Sequence, residues 1–236
     1  MFSQLRTILL AGVLMTSAVA AAQRSGADAA AGAAQAAQSA GAQKIDLAER
    51  LAAGKLKATN REVTKLQERN GVHLSEREGP GVVRIEGTDF SEGTIEVDIR
   101  GRDMPQRSFV GIAFHVKDDK TYESIYLRPF NFRTDDATRH QHAVQYISLP
   151  EYDWPRLRKE FPEEFENPVD ASVAPTDWVP LRVVVKGRTI QVYVGAVKSP
   201  TLEVRKLGQE DRGMVGLWAG NNSDGDFANL RITPTK

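Results

Sequence analysis

Two stretches of the chain carry side chains with chemistry in them. In "GTIEVDIRG", Glu96 and Asp98 stand two residues apart. On a strand this spacing puts both carboxylates on one face, about 6.6 Å apart along the backbone. Carboxylate pairs that cleave glycosidic bonds are separated by roughly 5 to 9.5 Å, so the pair is spaced for acid–base work on a sugar. A solvated strand face with Arg100 as partner accounts for the same residues. In "YESIYLRPFNFR", an alternating run breaks at Pro129 and leaves Arg128, Asn131 and Arg133 beside Phe130 and Phe132. Arginine offers a planar fork of donors and asparagine a donor plus an acceptor, a set that suits a hydroxyl-rich ligand. The rings can lie against the apolar face of a sugar. They can equally close a core edge while the arginines pair with Asp135 and Asp136. Glu123, in the same run, is a third candidate acid/base.

Further candidates flank this stretch. His142, Gln145 and Tyr146 in "HQHAVQYIS" read as polar and stacking groups lining a groove. His140 and His142 would share a face on a strand, but no third ligand follows from the spacing, so no metal site is assigned there. Trp154, with Tyr152, Arg156 and Arg158, suits a sugar platform, against the alternative of a loop packed by its own side chains. Trp218 alternates with Leu217, so one of the two leaves the main core. "GNNSDGDF" gathers Asn221, Asn222, Ser223, Asp224 and Asp226. It reads as a hairpin turn with Gly225 in the left-handed position, or as an oxygen set for calcium. No other cofactor is expected.

These residues need a scaffold, and the pattern around them is mostly period two. "GTIEVDIRG" places Ile95, Val97 and Ile99 opposite Glu96, Asp98 and Arg100, and "FVGIAFHV" places Val110, Ile112, Phe114 and Val116 opposite Phe109, Gly111, Ala113 and His115. "WVPLRVVVKGRTIQVYVG" reads as two strands about a tight turn, with Gly187 at positive φ. Strands recurring with Gly, Asp and Pro between them predict an all-β, two-sheet antiparallel sandwich. Helix signal is thin: a short helix capped by Asp46 and stopped at Gly54, and one turn around Trp154 to Phe161 within the long insert from Pro150 to Pro168. Such inserts are often functional.

Length and composition bound the rest. Of 236 residues, 31 are Lys or Arg and 31 are Asp or Glu, and there is no cysteine. The absence of cysteine excludes disulfides and thiol chemistry. A neutral chain without a basic run argues against nucleic acid as partner. No Ser-His-Asp order and no phosphate-cradling glycine loop can be assembled, which leaves carboxylates as the enzymatic option. Residues 1–22, with Arg6, an apolar run and "AVAAAQ", read as a secretory signal, too short to be a membrane span. Residues 23–43, rich in Ala, Gly, Gln and Ser, read as a tether, and 44–236 as the folded domain. The expected location is secreted or periplasmic.

In their order, "GTIEVDIRG", "SFVGIAFHV", a Trp followed by "LRVVVKGRTIQVYV", and "GMVGLWAGNNSDGDFANLRI" resemble the concanavalin A-like lectin/glucanase jelly roll. Within it the chain is most similar to bacterial domains related to 3-keto-disaccharide hydrolases (family 16 glycoside hydrolase-like), and it also resembles laminin-G-type sandwiches. The resemblance implies a two-sheet jelly roll with a carbohydrate partner. It does not carry the family 16 catalytic roles over intact. "EVDIR" supplies Glu96 and Asp98, but Arg100 and Gly101 stand where a third carboxylate belongs.

Three functions remain open on these residues. The first is an exported module that binds an oligo- or polysaccharide in a concave groove through aromatic stacking and Arg, Asn and Gln hydrogen bonds. The second is a glycoside hydrolase or lyase using Glu96, Asp98 or Glu123. The third is an adhesion sandwich without a small ligand. The sequence leaves the sugar and the oligomeric state open.

Overall fold

The structure, a computed structural model, describes residues 41–235. The expected signal segment and nearly all of the expected tether lie outside the described residues. The tether's last residue, Gln43, already pairs with Ile232 in a strand. In chain order the strands are β1 (Gln43–Ile45), β2 (Leu56–Thr59), β3 (Val63–Lys65), β4 (Val72–Arg77), β5 (Gly81–Ile85), β6 (Gly93–Arg100), β7 (Val110–Val116) and β8 (Tyr122–Leu127). They continue with β9 (Val144–Leu149), β10 (Glu166–Asn167), β11 (Val179–Lys186), β12 (Thr189–Val194), β13 (Leu202–Arg205), β14 (Met214–Ala219) and β15 (Ser223–Pro234). Three short helices join them: α1 (Leu47–Ala52), α2 (Ala137–Gln141) and α3 (Trp154–Glu160).

The strands form two antiparallel sheets. The first runs β13-β12-β11-β6-β15-β4-β3, with β1 added to β15, and the second runs β10-β9-β8-β7-β14-β5-β2. Apolar residues of alternate parity meet between them. Ile95, Val97 and Ile99 from β6 face Ile112, Ile125 and Leu217 of the second sheet, all 2% exposed or less. The architecture is an all-β, two-sheet antiparallel jelly-roll sandwich.

Local chemistry sets the joints. Asp46 caps α1 by accepting from the Glu49 N–H at 2.9 Å, and Gly54 stops it at φ +66°. Gly187 (φ +55°) occupies the first central position of the two-residue turn between Lys186 and Thr189, where a type II′ hairpin needs positive φ. The turn before β15 differs from expectation: Asn222, at φ +51°, takes the left-handed position. Gly225 lies inside β15, where a Cβ would come within 2.6 Å of Val110 Cγ1.

A bulge in β7 also departs from simple alternation. His115 adopts φ +50°, and the register with β14 shifts there, so the imidazole turns inward with Phe114 instead of outward with Ala113. His115 Nε2–H donates to the Ser91 carbonyl at 2.7 Å, and Nδ1 meets Glu123 Oε1 at 2.8 Å. His140 and His142 lie in and just after α2, capped by Asp136, and not on a strand.

Candidate functional site

The two outer faces of the sandwich hold different groups, and the candidate residues divide between them. On the second sheet, one cross-strand row runs Trp218, Gly111, Tyr126, Gln145, Glu166 over β14, β7, β8, β9 and β10. Gly111 has a steric reason to lack a side chain: a Cβ there would sit 2.6 Å from Tyr126 Cα. Above it the Tyr126 and Trp218 rings come to 4.7 Å, and Trp218 Nε1–H donates to the Tyr122 hydroxyl at 3.0 Å. Trp218 is therefore the residue of the Leu217–Trp218 pair that leaves the inter-sheet core, yet it is only 5% exposed.

At the β8–β9–β10 end of this face the row becomes polar. Arg128, just past β8, keeps the parity of Tyr126. Its Nη2 donates to the Tyr126 hydroxyl at 2.7 Å and also to Gln145 Oε1, and its Nη1 donates to the His142 carbonyl at 2.9 Å. A guanidinium only donates, so Gln145 must turn its oxygen to Arg128 and its amide nitrogen away. That nitrogen is buried without a partner. Asn131, in the 3-10 turn Pro129–Asn131, likewise donates Nδ2–H to the His142 carbonyl at 3.2 Å and leaves Oδ1 buried and unpaired. Gln145 and the end of the "YESIYLRPFNFR" stretch thus place one orphan donor and one orphan acceptor near Arg128.

Glu166 completes the cluster. It accepts a two-pronged bond from Arg158, Nε to Oε1 at 3.0 Å and Nη2 to Oε2 at 2.9 Å, and its Oε1 meets His142 Nδ1 at 2.7 Å. Arg128, Gln145 and Glu166 are at most 5% exposed. His142 and Arg158 keep about a fifth to a third of their side chains in solvent (21% and 30%), and Trp154 beneath Arg158 is 48% exposed. The cluster therefore has a buried floor and a wet rim. Burial pushes the His142 imidazole below its usual range, against the pull of Glu166, while Arg158 and Arg128 push the same way as burial. With His142 neutral, two guanidinium groups face one carboxylate.

The structure brings Arg128, Asn131, His142, Gln145 and Trp154 to this end, with Trp218 farther along the same face. It does not bring Arg133, which donates to the Ala171 and Ser172 carbonyls at 2.8 and 3.0 Å on the exposed loop. Tyr146 does not join either. Strand alternation puts it opposite Gln145, in the inter-sheet core, where its hydroxyl donates to Glu123 and accepts from the Leu207 N–H at 3.0 Å. Glu123 itself is 1% exposed between the sheets. Glu96 and Asp98 lie on the outer face of the first sheet, across the sandwich from Arg128. Asp98 accepts from Arg69 at 3.1 Å and from Asn229 at 2.7 Å. The three carboxylates thus occupy two separate places, and neither adjoins the Arg128 cluster. The carboxylates of the "GNNSDGDF" turn are engaged: Asp224 with Arg102, Asp226 with Arg100 and His73.

Sequence reasoning placed Arg158 beside Trp154 but missed Tyr126 and Glu166. Tyr126 had a signal, since it shares parity with Arg128 in one strand. Glu166 had none: it is one of several acids in "KEFPEEFEN", and the two-residue pairing of β10 on β9 selects it.

No protein-family profile matches the chain. No curated protein matches it either. Solved structures do. A carbohydrate binding module from Bacillus subtilis, CBM66, is similar at 15% identity and TM-score 0.54, over 75% of this chain and 95% of that one. The Crh5 transglycosylase in complex with NAG is similar at 10% identity and TM-score 0.53, over 83% and 85%. The VIP36 exoplasmic/lumenal domain, in its Ca2+/Man3GlcNAc-bound form, is similar at 10% identity and TM-score 0.50, over 76% and 85%. At these identities the likeness is one of fold, and it is that of a concanavalin A-like jelly roll.

Proposed function

We propose that this chain is an exported glycan-binding domain. Its ligand sits at the His142–Arg158–Trp154 rim, above the floor made by Arg128, Gln145 and Glu166. The observation that carries this reading is the pair of orphan atoms, Gln145 Nε2 and Asn131 Oδ1. Buried polar groups are nearly always bonded, so an unpaired donor and an unpaired acceptor around one arginine suit a group that accepts and donates at once. A sugar hydroxyl does both. Trp154 adds an exposed ring for the apolar face of a sugar, and Glu166 fixes the Arg158 fork in one geometry. The reading agrees with the names of two fold neighbours, one a carbohydrate binding module and one a lumenal domain bound to Man3GlcNAc. It makes no use of Glu96, Asp98 or Glu123, so it is a binding function and not a hydrolytic one.

A panel of neutral oligosaccharides, titrated by calorimetry against the protein and its His142→Ala and Trp154→Ala variants, tests it. One class of sugar is expected to bind, and both substitutions should weaken that binding at least tenfold without moving the melting temperature. A panel without a ligand, or variants that bind like the parent, would overturn the assignment.

A further inference from the structure

An open groove lies across the sandwich from the Arg128 cluster, on the outer face of the first sheet. It encloses about 620 Å³, and its walls include Lys44, Arg69, Glu96, Asp98, Arg182 and Arg231. Strand register orders its centre. Lys44 of β1 stands beside Arg231 of β15, Arg231 beside Glu96 of β6, and Glu96 beside Arg182 of β11. Neighbours in such a row are about 4.8 Å apart, so cation, cation, anion and cation follow one another over roughly 14 Å.

The charges around this row are committed elsewhere. Asp46 caps α1, and Asp98 is held by Arg69 and Asn229. Inside the row, Arg182 turns toward Tyr193, its guanidinium 3.6 Å from the ring centre, and so away from Glu96. Among the described residues, Lys44, Arg182 and Arg231 have no carboxylate within ion-pair distance. Three cations therefore line the groove with one free carboxylate set between two of them. A ligand that matches must bring negative groups to the cations and a hydrogen-bond donor to Glu96. A phosphodiester backbone brings closely spaced acceptors and would meet Glu96 with like charge. A neutral sugar leaves the cations unanswered.

We infer that this groove binds an acidic saccharide strand, with its carboxylates on Lys44, Arg231 and Arg182 and its hydroxyls on Glu96. The site is separate from the Arg128 cluster and takes a different class of ligand, so either can fail without the other. A galacturonate tetramer, titrated by calorimetry at low ionic strength, is the probe, with cellotetraose as its neutral counterpart of equal length. The galacturonate tetramer should bind, and its affinity should fall as salt rises, since exposed ion pairs are screened. The Arg182→Gln/Arg231→Gln double variant should lower affinity at least tenfold. Lys44→Gln, at an exposed position that leaves packing alone, should lower it by about threefold, and Trp154→Ala on the opposite face should leave it unchanged. Three results would each overturn the inference: no galacturonate binding, binding that survives the double and Lys44→Gln variants, or tighter binding of a single-stranded oligodeoxynucleotide.

Discussion

The outer faces of the two sheets are built on the same backbone and satisfy their polar groups in opposite ways. On the first sheet, polar side chains alternate with the core and stay partly wet. His73–Asp226 at 2.7 Å, Arg100–Asp226 at 2.8 Å and Arg69–Asp98 at 3.1 Å all keep some solvent. Trp178 lies between two guanidinium groups there, 4.9 Å from Arg69 and 4.7 Å from Arg100. On the second sheet, Tyr122, Tyr126, Gln145 and Trp218 occupy the equivalent outward positions and are at most 5% exposed. Water can replace a lost partner over much of the first face and reaches the second at the His142–Arg158–Trp154 rim, not at the floor beneath it. An unpaired atom is therefore informative where burial is complete, because an unmade bond in a dry place costs its full desolvation.

The sharpest way to break this contrast is Glu166→Ala. It leaves Arg158 and the buried Arg128 without their shared acid, and removing one partner of a buried ion pair costs about 3–5 kcal/mol. Urea unfolding should show a loss of that size. A loss no larger than that of an exposed pair, below about 1 kcal/mol, would make the two faces energetically alike. Trp218→Phe comes next. It keeps the ring over Gly111 but removes the bond to Tyr122, and calorimetric melting should register about 1 kcal/mol. The smallest effect belongs to the wet face. The hydrogen bond that His73 donates to Asp226 raises the His73 pKa above its ordinary 6.5, against partial burial. Its stabilisation is complete below the ordinary value and fades as pH climbs through the raised one. Melting scans across neutral pH should show this decline in the parent and a flatter profile in His73→Gln. Equal slopes in the two proteins would remove His73 as its source.

How far the site could be read from the chain depended on which residues shared a strand. Arg128 and Asn131 stood out because two cations, an amide and two rings at a strand end have no turn-forming purpose. Gln145 and its neighbour Tyr146 were read together as groove residues, although alternation alone sends the two to opposite faces. His115 escaped the period-two rule because a bulge inserts a left-handed residue, and nothing in "GIAFHV" marks where the ladder slips. Asn222 took the turn position expected of Gly225 because Gly225 is needed where β15 passes Val110.

What the sequence determined by itself is the sandwich. Alternating β-branched and aromatic residues can bury one side of each strand only by stacking two sheets, and that requirement is local and repeated along the whole chain. Which face holds Glu96 and which holds Arg128 was settled by the tertiary structure alone. Strand parity says that a side chain points outward but not from which sheet, and the sheet is set by pairings between segments far apart in the chain. The choice of Glu166 as the acid beneath Arg158 has the same origin, since a single short pairing on β9 distinguishes it from its acidic neighbours.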